Sequence, residues 1–407
     1  MTAAEIVRGY LTQLNRAADA LAKREGRTRN LIFMEICGTH TMTAFRTGLH
    51  SLLPPTIKLL SGPGCPVCVT AQSDIDQLLN LATTPNTTIC TYGDMLRVPG
   101  STQNLGGENR KSKIENQKSL ESARSQGADI RVIYSTLDTL TYAQNNPTRE
   151  VILAAVGFET TAPATAAAIL QAHSTNLKNF SVLASHKRVL PAMTALLDSG
   201  EVHIDGLLCP GHVSAITGSA IFQTLVEKYH LPCVIAGFEE THMAAALATL
   251  AEILATGTPQ LLNNYKEAVT PHGNPAALAL IHEVFQPASV RWRALGEIPA
   301  SGLTIRNKFA AFDATKKFNL PTLPDREIPN CLCSKVILGA ASPKNCPLFA
   351  TACTPIHPIG PCMVSSEGTC AAHFKYARHL SHTTIRAATV RERQAPSKEG
   401  GFHAYVA

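Results

Sequence analysis

Cysteine is the residue type that most clearly marks chemistry in this 407-residue sequence, which contains 12 of them. Six cysteines fall within residues 331–370, and three others fall in stretches rich in glycine and proline, at Cys37, Cys65 and Cys68. The last three lie in or at the end of apolar, strand-like runs and are interpreted as structural: Cys90, Cys209 and Cys233. A reducing compartment disfavours structural disulfides, so this grouping indicates metal binding or redox chemistry.

The C-terminal group of cysteines could hold a metal cofactor. Four of them have 14, 6 and 16 residues between them and could bind a [4Fe–4S] cluster or a zinc ion: Cys331, Cys346, Cys353 and Cys370. Structural zinc usually shows two close cysteine pairs, which this spacing lacks, so the cluster is favoured. Cys333 and Cys362 remain. They could form a disulfide beside the cluster, or one of them could replace a neighbouring ligand.

Cys65 and Cys68 form a C-x-x-C motif in the segment GPGCPVCVT, between an apolar strand-like run and the helical pattern TAQSDIDQLLNL. A helix N-terminus favours the thiolate because its dipole and free N–H groups stabilise negative charge. The pair could cycle between dithiol and disulfide, or could bind a soft metal. A zinc site would need a second pair of ligands, so redox chemistry is favoured.

Cys37 and His40 lie in the segment MEICGTHT, at the end of the apolar run LIFMEI. A thiolate and an imidazole three residues apart could contact one iron, copper or zinc ion if the turn is tight. The alternative is a buried cysteine next to a helix-capping threonine and a surface histidine.

Acidic and basic residues also follow apolar runs. Glu159 in GFETT and Glu239 in GFEE could cap helices, or could line a polar cleft together with Asp94 in YGDM. His212 in PGHVSAITG is either a further site residue or a turn residue. The segment SHKRVLPAM offers an anion patch or a solvated loop, with His186, Lys187 and Arg188.

These motifs lie in a regular succession of predicted strands and helices. Runs such as DIRVIYS and EVILAAVGFETTAPATAAAIL end in a turn and continue as helices. The alternation predicts an α/β fold with parallel sheets and functional residues at the carboxyl ends of the strands. Because CGTHT, GPGCPVC and YGDM are echoed by GFETT, PGHVSAI and GFEE, we predict two similar α/β domains facing a cleft, at residues 30–145 and 146–300. Any two α/β domains could, however, show such glycine turns.

The ends of the chain differ in character from the middle. Residues 301–378 are richer in proline and cysteine, and together with the amphipathic helix of residues 1–29 they are predicted to form a cysteine-rich [4Fe–4S] domain. Residues 100–126 predict a polar surface loop and a following helix. The tail, residues 379–407, lacks a core pattern and is predicted to be poorly ordered.

Composition excludes several classes of function. The net charge of +6 is scattered, without a basic stripe, so nucleic acid is a poor candidate partner. The N-terminus lacks the apolar run of a signal peptide, and no stretch reaches the roughly 20 apolar residues of a membrane span. We therefore expect a cytoplasmic protein without a membrane partner. Neither a Walker-type phosphate loop nor G-x-G-x-x-G is present.

Taken together, the motifs resemble the HypD family of hydrogenase maturation factors over about residues 5–378. The segments that carry the resemblance are MEICGTHT, LLSGPGCPVCVT, TYGDMLRVPG, VGFETTAP, CPGHVSAITG, CVIAGFEE and CPLFATACTPIHPIGPCMVSSEGTCAA. The resemblance implies two similar α/β domains and one domain with a [4Fe–4S] cluster. It also implies a scaffold that acts with the small chaperone HypC to assemble the Fe(CN)2CO group of [NiFe] hydrogenases. Cyanide would come from HypE with HypF, and the iron centre would pass to the hydrogenase large subunit.

The resemblance further implies a role for each cysteine of the motifs. Cys37 would hold the iron together with a cysteine of the partner, and Cys65 and Cys68 would be a redox pair near it. Cys333 and Cys362 would be a thiol pair beside the cluster, as in ferredoxin:thioredoxin reductase. The cluster would be held by Cys331, Cys346, Cys353 and Cys370.

This combination suits the chemistry, because iron that carries cyanide and CO needs soft thiolate ligands and a source of electrons. It would make the chain a maturation scaffold with redox activity rather than a conventional turnover enzyme. Two other functions are open: an iron–sulfur-dependent thiol–disulfide oxidoreductase acting on proteins, and a zinc-stabilised binding protein. The chain departs from the family pattern in a longer connection at 101–112 and in the tail after Arg378.

Overall fold

The structure is a computed structural model that describes residues 1–101, 119–326 and 328–377. The tail at 379–407 and nearly all of the connection at 101–112 lie outside the described residues. The helix expected after that connection is confirmed at Leu120–Ser125.

The described residues contain two parallel sheets and one antiparallel hairpin. The strands are β1 (Leu31–Glu35), β2 (Ile57–Ser61), β3 (Thr87–Thr91), β4 (Asp129–Val132), β5 (Glu150–Gly157), β6 (Phe180–His186), β7 (Gly206–Pro210), β8 (Cys233–Ala236), β9 (Leu261–Asn263), β10 (Phe285–Trp292) and β11 (Gly296–Ile305). The first sheet has the strand order β2-β1-β7-β8-β9, the second has the order β4-β3-β5-β6, and β10 pairs with β11. Strands β1, β3, β7 and β8 are buried along their whole length, as expected for parallel strands with helices on both faces.

Helices connect and cover these strands. They are α1 (Ala3–Glu25), α2 (Gly38–Arg46), α3 (Leu49–Leu52), α4 (Pro66–Val69), α5 (Gln72–Ala82), α6 (Leu120–Ser125), α7 (Thr136–Asn145), α8 (Ala162–Ser174), α9 (Val189–Ser199), α10 (Gly211–Thr217), α11 (Gln223–Tyr229), α12 (Glu240–Thr256), α13 (Pro275–Val284), α14 (Ala314–Lys317), α15 (Cys333–Ile337), α16 (Pro361–Val364) and α17 (Thr369–Tyr376). Short 3-10 turns lie at Gly93–Arg97, Ala220–Phe222, Asn307–Phe312 and Pro343–Asn345. None of the helices among the described residues is long and apolar enough to cross a membrane.

The predicted fold class is confirmed, since the chain is an α/β protein with parallel-sheet domains and a cysteine-rich C-terminal region. The predicted domain boundary between residues 145 and 146 is wrong, because each sheet contains strands from both sides of it. Phe33 of β1 pairs with Gly206 of β7, and Thr87 of β3 pairs with Glu150 of β5. The chain leaves the first sheet after β2, builds the second sheet, and returns at β7.

This topology redistributes the motifs between the sheets. Cys37, Cys65, His212 and Glu239 follow β1, β2, β7 and β8, so they all lie at the carboxyl edge of the first sheet. Glu159 follows β5 in the second sheet. The apparent repeat of the sequence therefore does not assign one set of motifs to each domain. The periodicity of the sequence predicts each strand but not the strand that lies next to it in the sheet. The pattern therefore could not indicate the domain boundary correctly.

Helix α1 also lies elsewhere than predicted. It packs on α12 at the first sheet and not against the cysteine-rich region, with Leu14 and Leu21 in the same hydrophobic core as Leu247 and Leu250. A capping box stabilises the N-terminus of α1. Near its C-terminus, the Nη1 of Arg24 donates to the Ala255 carbonyl of α12 at 2.8 Å. The amphipathic pattern predicts the buried face of α1 correctly, but the pattern does not indicate which surface covers that face.

The prediction that residues 301–317 belong to the cysteine-rich domain is also wrong. Strand β11 contacts β6, and Asp313 forms a bridge with Val182 of that strand. Phe312 packs in the same core as Phe180. The cysteine-rich unit therefore does not include residues 301–317. Its helix α17 contacts α2, and its helix α16 contacts α4, so the unit sits on the loops that follow β1 and β2.

The docking of α1 can be tested by truncating Leu14, which is fully buried. Leu14→Ala removes apolar contacts and leaves a cavity, so it is expected to lower the free energy of unfolding by about 2–5 kcal/mol, measured by urea denaturation. Leu137, which is 48% exposed, provides the control, and Leu137→Ala is expected to change stability by no more than about 0.5 kcal/mol. Equal stability of the two variants would contradict the packing of α1 on α12.

Candidate functional site

Cys37 is the second residue after β1 and forms the N-cap of α2, so it lies at the carboxyl edge of the first sheet. Burial raises the pKa of Cys37 to about 12, and the backbone N–H groups of His40 and Thr39 only partly oppose this rise. The free side chain is therefore a neutral thiol at neutral pH. A metal ion that binds there must displace the proton, because the thiolate is the form that ligates.

Two carboxylates hold the loop around Cys37. Glu35 is buried under the loop, where its Oε2 accepts from the Cys37 N–H at 2.9 Å and its Oε1 accepts from the Thr41 hydroxyl. Burial raises the pKa of Glu35 to about 7. Glu367, from the cysteine-rich unit, accepts from the Thr39 hydroxyl at 2.7 Å. Neither carboxylate is among the site residues predicted from the sequence, although the glutamate inside the apolar run LIFMEI is a usable signal for Glu35.

Glycines bring the C-x-x-C loop against Cys37. The Gly38 N–H donates to the Gly64 carbonyl at 3.0 Å, and any side chain at position 64 would collide with the backbone of Cys37. Cys65 and Cys68 are joined as a disulfide with their Cα atoms 5.3 Å apart, and the Cys68 N–H donates to the Cys65 Sγ at 3.2 Å. The loop of Cys37 therefore lies against the loop that carries Cys65 and Cys68.

The cysteine-rich unit brings its six cysteines around one small cavity. Phe349, Gly360 and Met363 also line this cavity. The six cysteines in its lining are Cys331, Cys333, Cys346, Cys353, Cys362 and Cys370. Cys333 contacts Cys331 and Cys362, and all six are free thiols. The rim of the cavity is more open at Cys331, whereas the other five cysteines are buried.

The lining fits a cluster bound by cysteine. A Cβ atom at Gly360 would lie 3.2 Å from the Cys331 Sγ and 3.4 Å from the Cys333 Sγ, so any larger residue would crowd Cys331 on this side of the cavity. Backbone N–H groups point at the sulfurs, with Ile359 donating to Cys353 at 3.4 Å and Cys370 donating to Cys362 at 3.2 Å. Such N–H groups stabilise sulfur ligands and tune cluster potentials. Among the described residues, no set of three or more His, Cys, Asp or Glu side chains is arranged around a single metal ion.

The cysteine cavity and the C-x-x-C motif share one apolar core. Cys65, Cys68, Cys333 and Cys362 all belong to it, and α16, which carries Cys362, packs on α4, which carries Cys68. Asp94 also contacts the cysteine-rich unit, since its carboxylate accepts from the Ser365 hydroxyl at 3.0 Å. This residue, predicted to line a cleft with Glu159 and Glu239, therefore connects the segment YGDM to the cysteine-rich unit.

His40 and His212 meet around one aromatic ring. The ring of Phe238 stacks on His212 with centroids 3.7 Å apart and lies 5.1 Å from His40. His40 is buried, and its Nε2–H donates to the Gly237 carbonyl at 2.9 Å, whereas its Nδ1 has no partner among the described residues. Burial lowers the pKa of His40 to about 4, so the ring is neutral at neutral pH. Glu239, the N-cap of α12, is exposed and makes no side-chain capping bond.

Glu159 and the SHKRV segment have structural contacts in the second sheet. Glu159 is buried and accepts from the Val189 N–H at 3.0 Å, so it caps α9. His186 and Lys187 are buried too, and Arg188 donates to the Ala300 carbonyl at 2.8 Å. The expectation of an anion patch or a solvated loop here is therefore wrong, because the residues after β6 pack under β11.

All three cysteines interpreted as structural are fully buried and lie away from the lining of the cysteine cavity. Cys90 is on β3, and Cys209 and Cys233 are on the neighbouring strands β7 and β8. Their side chains fill sheet cores.

The capping role of Glu159 predicts a particular pH dependence. Burial raises the pKa of Glu159 from 4.5 to about 7, so between these values the folded protein keeps a proton that the unfolded chain releases. Stability contributed by this group therefore falls as the pH rises through this window, by up to about 3 kcal/mol. Glu159→Gln should reduce the loss of unfolding free energy between about pH 5 and about pH 8, measured by urea denaturation. The exposed Glu201→Gln is the control, and an unchanged pH slope in Glu159→Gln would contradict the burial of this carboxyl.

Comparison with known proteins agrees with this arrangement. The family model described as HypD, Hydrogenase formation hypA family, matches residues 12–377. The hydrogenase maturation factor HypD of Cupriavidus necator is 42% identical over 377 residues, which cover 91% of this chain and 95% of that protein. HypD of Azotobacter vinelandii is 42% identical over 368 residues, covering 89% and 92% of the two chains. HypD of Rhodobacter capsulatus is 40% identical over 376 residues, covering 91% and 95%.

The matched region includes every motif cysteine, from Cys37 to Cys370, together with both α/β sheets and the cysteine-rich unit. The chain belongs to the HypD family of hydrogenase maturation factors.

Proposed function

We propose that this protein is a scaffold and redox protein for assembly of the Fe(CN)2CO group of [NiFe] hydrogenases, acting with HypC and receiving cyanide from HypE. The observation that carries the proposal is the meeting of three cysteine motifs at one edge of the first sheet. Cys37 adjoins the Cys65–Cys68 loop through Gly64, and the cysteine-rich unit packs on both loops. A thiol that can hold iron therefore lies beside two groups of redox-active thiols.

Cys37 is the residue that suits the iron cargo. Its burial keeps bulk water away, and its neutral thiol becomes a soft anionic ligand only when a metal replaces the proton. Glu35 fixes the Cys37 backbone by its hydrogen bond, and the buried His40 leaves its Nδ1 lone pair free on the same short helix. The partner HypC would complete the coordination of the iron with its own cysteine.

The cavity of the cysteine-rich unit suits a [4Fe–4S] cluster, which supplies single electrons when bound. Four cysteines would be its ligands: Cys331, Cys346, Cys353 and Cys370. Cys333 and Cys362 lie in contact with each other and with this set, so they would form a thiol pair next to the cluster's ligands. Helix α16, which carries Cys362, packs on α4, which carries Cys68 of the Cys65–Cys68 disulfide. Reduction of this disulfide to two thiols takes up two electrons and two protons.

The second candidate is an iron–sulfur-dependent thiol–disulfide oxidoreductase acting on protein substrates, and the Cys65–Cys68 disulfide is the observation in its favour. Burial argues against it, because Cys65 is 5% exposed and Cys68 is 2% exposed. Thiol–disulfide exchange requires that a foreign thiolate reach one sulfur atom. An internal redox pair that serves the neighbouring Cys37 fits this burial better.

The role of Cys37 can be tested by Cys37→Ala. The variant should keep the iron and sulfide of the C-terminal cluster but lose the additional iron bound with HypC, and it should not restore hydrogenase activity in cells that lack their own HypD. Cys90→Ala, which removes a buried thiol from the second sheet, should restore activity. Hydrogenase maturation by Cys37→Ala would refute the scaffold, whereas the oxidoreductase alternative predicts that outcome.

The fit of the cavity can be tested by Gly360→Ala. The added methyl group would lie against Cys331 and Cys333, so the variant should bind clearly less iron and sulfide per chain and show weaker visible absorbance than the wild type. Gly9→Ala adds the same group at a helix position where nothing lies within 4 Å, and it should bind a full cluster. A full cluster in both variants, or zinc in place of iron in the anaerobically purified wild type, would contradict this site.

A further inference from the structure

The segment TYGDMLRVPG carries part of the family resemblance, but the proposed function gives it no role. It contains the 3-10 turn Gly93–Arg97, which follows β3 at the carboxyl edge of the second sheet. Two side chains of this turn, Asp94 and Arg97, bond to the cysteine-rich unit. The turn therefore ties the second sheet to a unit whose helices α16 and α17 pack on the first sheet's loops.

Arg97 holds the loop that leads into α16. Its Nη2 donates to the carbonyls of Pro355 and Ile356. This loop connects Cys353 with Cys362, two of the cysteines that line the cavity. Because the acceptors are backbone atoms, the guanidinium fixes the path of the chain ahead of α16.

Asp94 holds the segment that follows α16. Its carboxylate accepts from the Ser365 hydroxyl at 3.0 Å, and the Ser365 oxygen in turn accepts from the Glu367 N–H at 3.3 Å. Ser365 is only 2% exposed. Loss of Asp94 would therefore leave a buried hydroxyl without its acceptor, which is unfavourable.

The same segment bears on the loop of Cys37. The Glu367 carboxylate accepts from the Thr39 hydroxyl at 2.7 Å. A Cβ atom at Gly38 would lie 2.4 Å from the Cβ of Glu367, so this close approach needs a glycine. A line of three hydrogen bonds therefore runs from Asp94 to Thr39 through two residues of the cysteine-rich unit.

We propose that Asp94 and Arg97 are positioning residues, which keep the cysteine-rich unit closed on the Cys37 loop by holding the segments on both sides of α16. Asp94 acts through Ser365 and Glu367, and Arg97 acts through the loop carbonyls. While the unit is closed, Glu367 covers Cys37, so that a metal enters or leaves only when the unit opens. This consequence rests on the proposed function, in which Cys37 holds the iron, whereas the closure itself does not.

The reaction of Cys37 with N-ethylmaleimide measures this closure. Cys37 is only 8% exposed, so it reacts when the unit opens, whereas Cys90 in the core of the second sheet reacts only on wider unfolding. The full-length protein is produced without HypC, so that the Cys37 thiol is free, and it is treated with the reagent in the absence of oxygen. Mass spectrometry then gives the labelling rate of each peptide that contains a cysteine.

Five variants separate the contacts. Asp94→Ala removes the acceptor and Ser365→Ala removes the donor of the same bond, whereas Asp94→Asn keeps a side-chain oxygen for the Ser365 hydroxyl. Arg97→Met removes the bonds to the loop before α16. Asp138→Ala is the control, because Asp138 is an exposed carboxylate at the same edge of the second sheet that accepts within its own turn, from the Ser135 N–H at 2.9 Å.

Asp94→Ala and Ser365→Ala are each expected to raise the labelling rate of Cys37 about tenfold, which corresponds to about 1.4 kcal/mol. The double variant should label no faster than either single variant, because both changes break the same bond. Asp94→Asn and Asp138→Ala should stay within about twofold of the wild type.

Arg97→Met should raise the labelling rate of Cys37 by a smaller factor, about threefold, because the Arg97 side chain is 38% exposed and water can take over part of its bonding. Labelling of Cys90 should be unchanged in every variant.

Equal labelling of Cys37 in Asp94→Ala and the wild type would overturn the proposal. Equal rises at Cys37 and Cys90 would also overturn it, because the variant would then loosen the whole chain, and so would a double variant in which the two single effects multiply. An unchanged rate in Arg97→Met would overturn the part assigned to Arg97. A wild-type complex with HypC that holds no iron beyond the cluster would instead refute the proposed function and leave the labelling result intact.

Discussion

The close approach of two backbones, at Gly64 and Cys37, is the constraint on which the site depends. Parallel pairing of β1 and β2 brings both loops to one edge of the sheet, and the absence of a side chain at Gly64 lets them touch. Without that contact, the Cys65–Cys68 disulfide would stand apart from the thiol that suits iron. The cysteine-rich unit then covers both loops, with Glu367 bonded to Thr39 and α16 packed on α4. One glycine thus couples the Cys37 loop to the Cys65–Cys68 loop, and the cysteine-rich unit packs on both.

Burial gives this edge its chemical character. The thiol of Cys37, the carboxyl of Glu35 and the imidazole of His40 are all shielded from water, and each is shifted towards its neutral form at neutral pH. Such a pocket has little net charge until a metal enters and takes the place of the thiol proton. A thiolate formed in this way is a soft ligand in a low-dielectric surrounding, which suits iron that carries carbon-based ligands.

Much of this site could be predicted from the sequence, and the rest could not for identifiable reasons. Cysteine spacing grouped the C-terminal thiols correctly around one cavity, because residues close in sequence stay close in a compact unit. The partners of Cys37 were missed where they come from afar, as with Glu367, or are hidden in an apolar strand, as with Glu35. Strand pairing across long separations in sequence, such as β1 with β7, leaves no signal in the periodicity, so the sequence pattern predicts neither the domain boundary nor the place of α1.

The proposed scaffold holds an iron atom that carries cyanide and CO at the place where the cysteine motifs meet. Infrared spectroscopy of the wild-type protein, purified without oxygen together with HypC, tests this most directly. The complex is expected to show absorption bands of iron-bound cyanide and of iron-bound CO, and to contain iron in excess of the C-terminal cluster. A complex that carries the cluster but shows neither set of bands would contradict it.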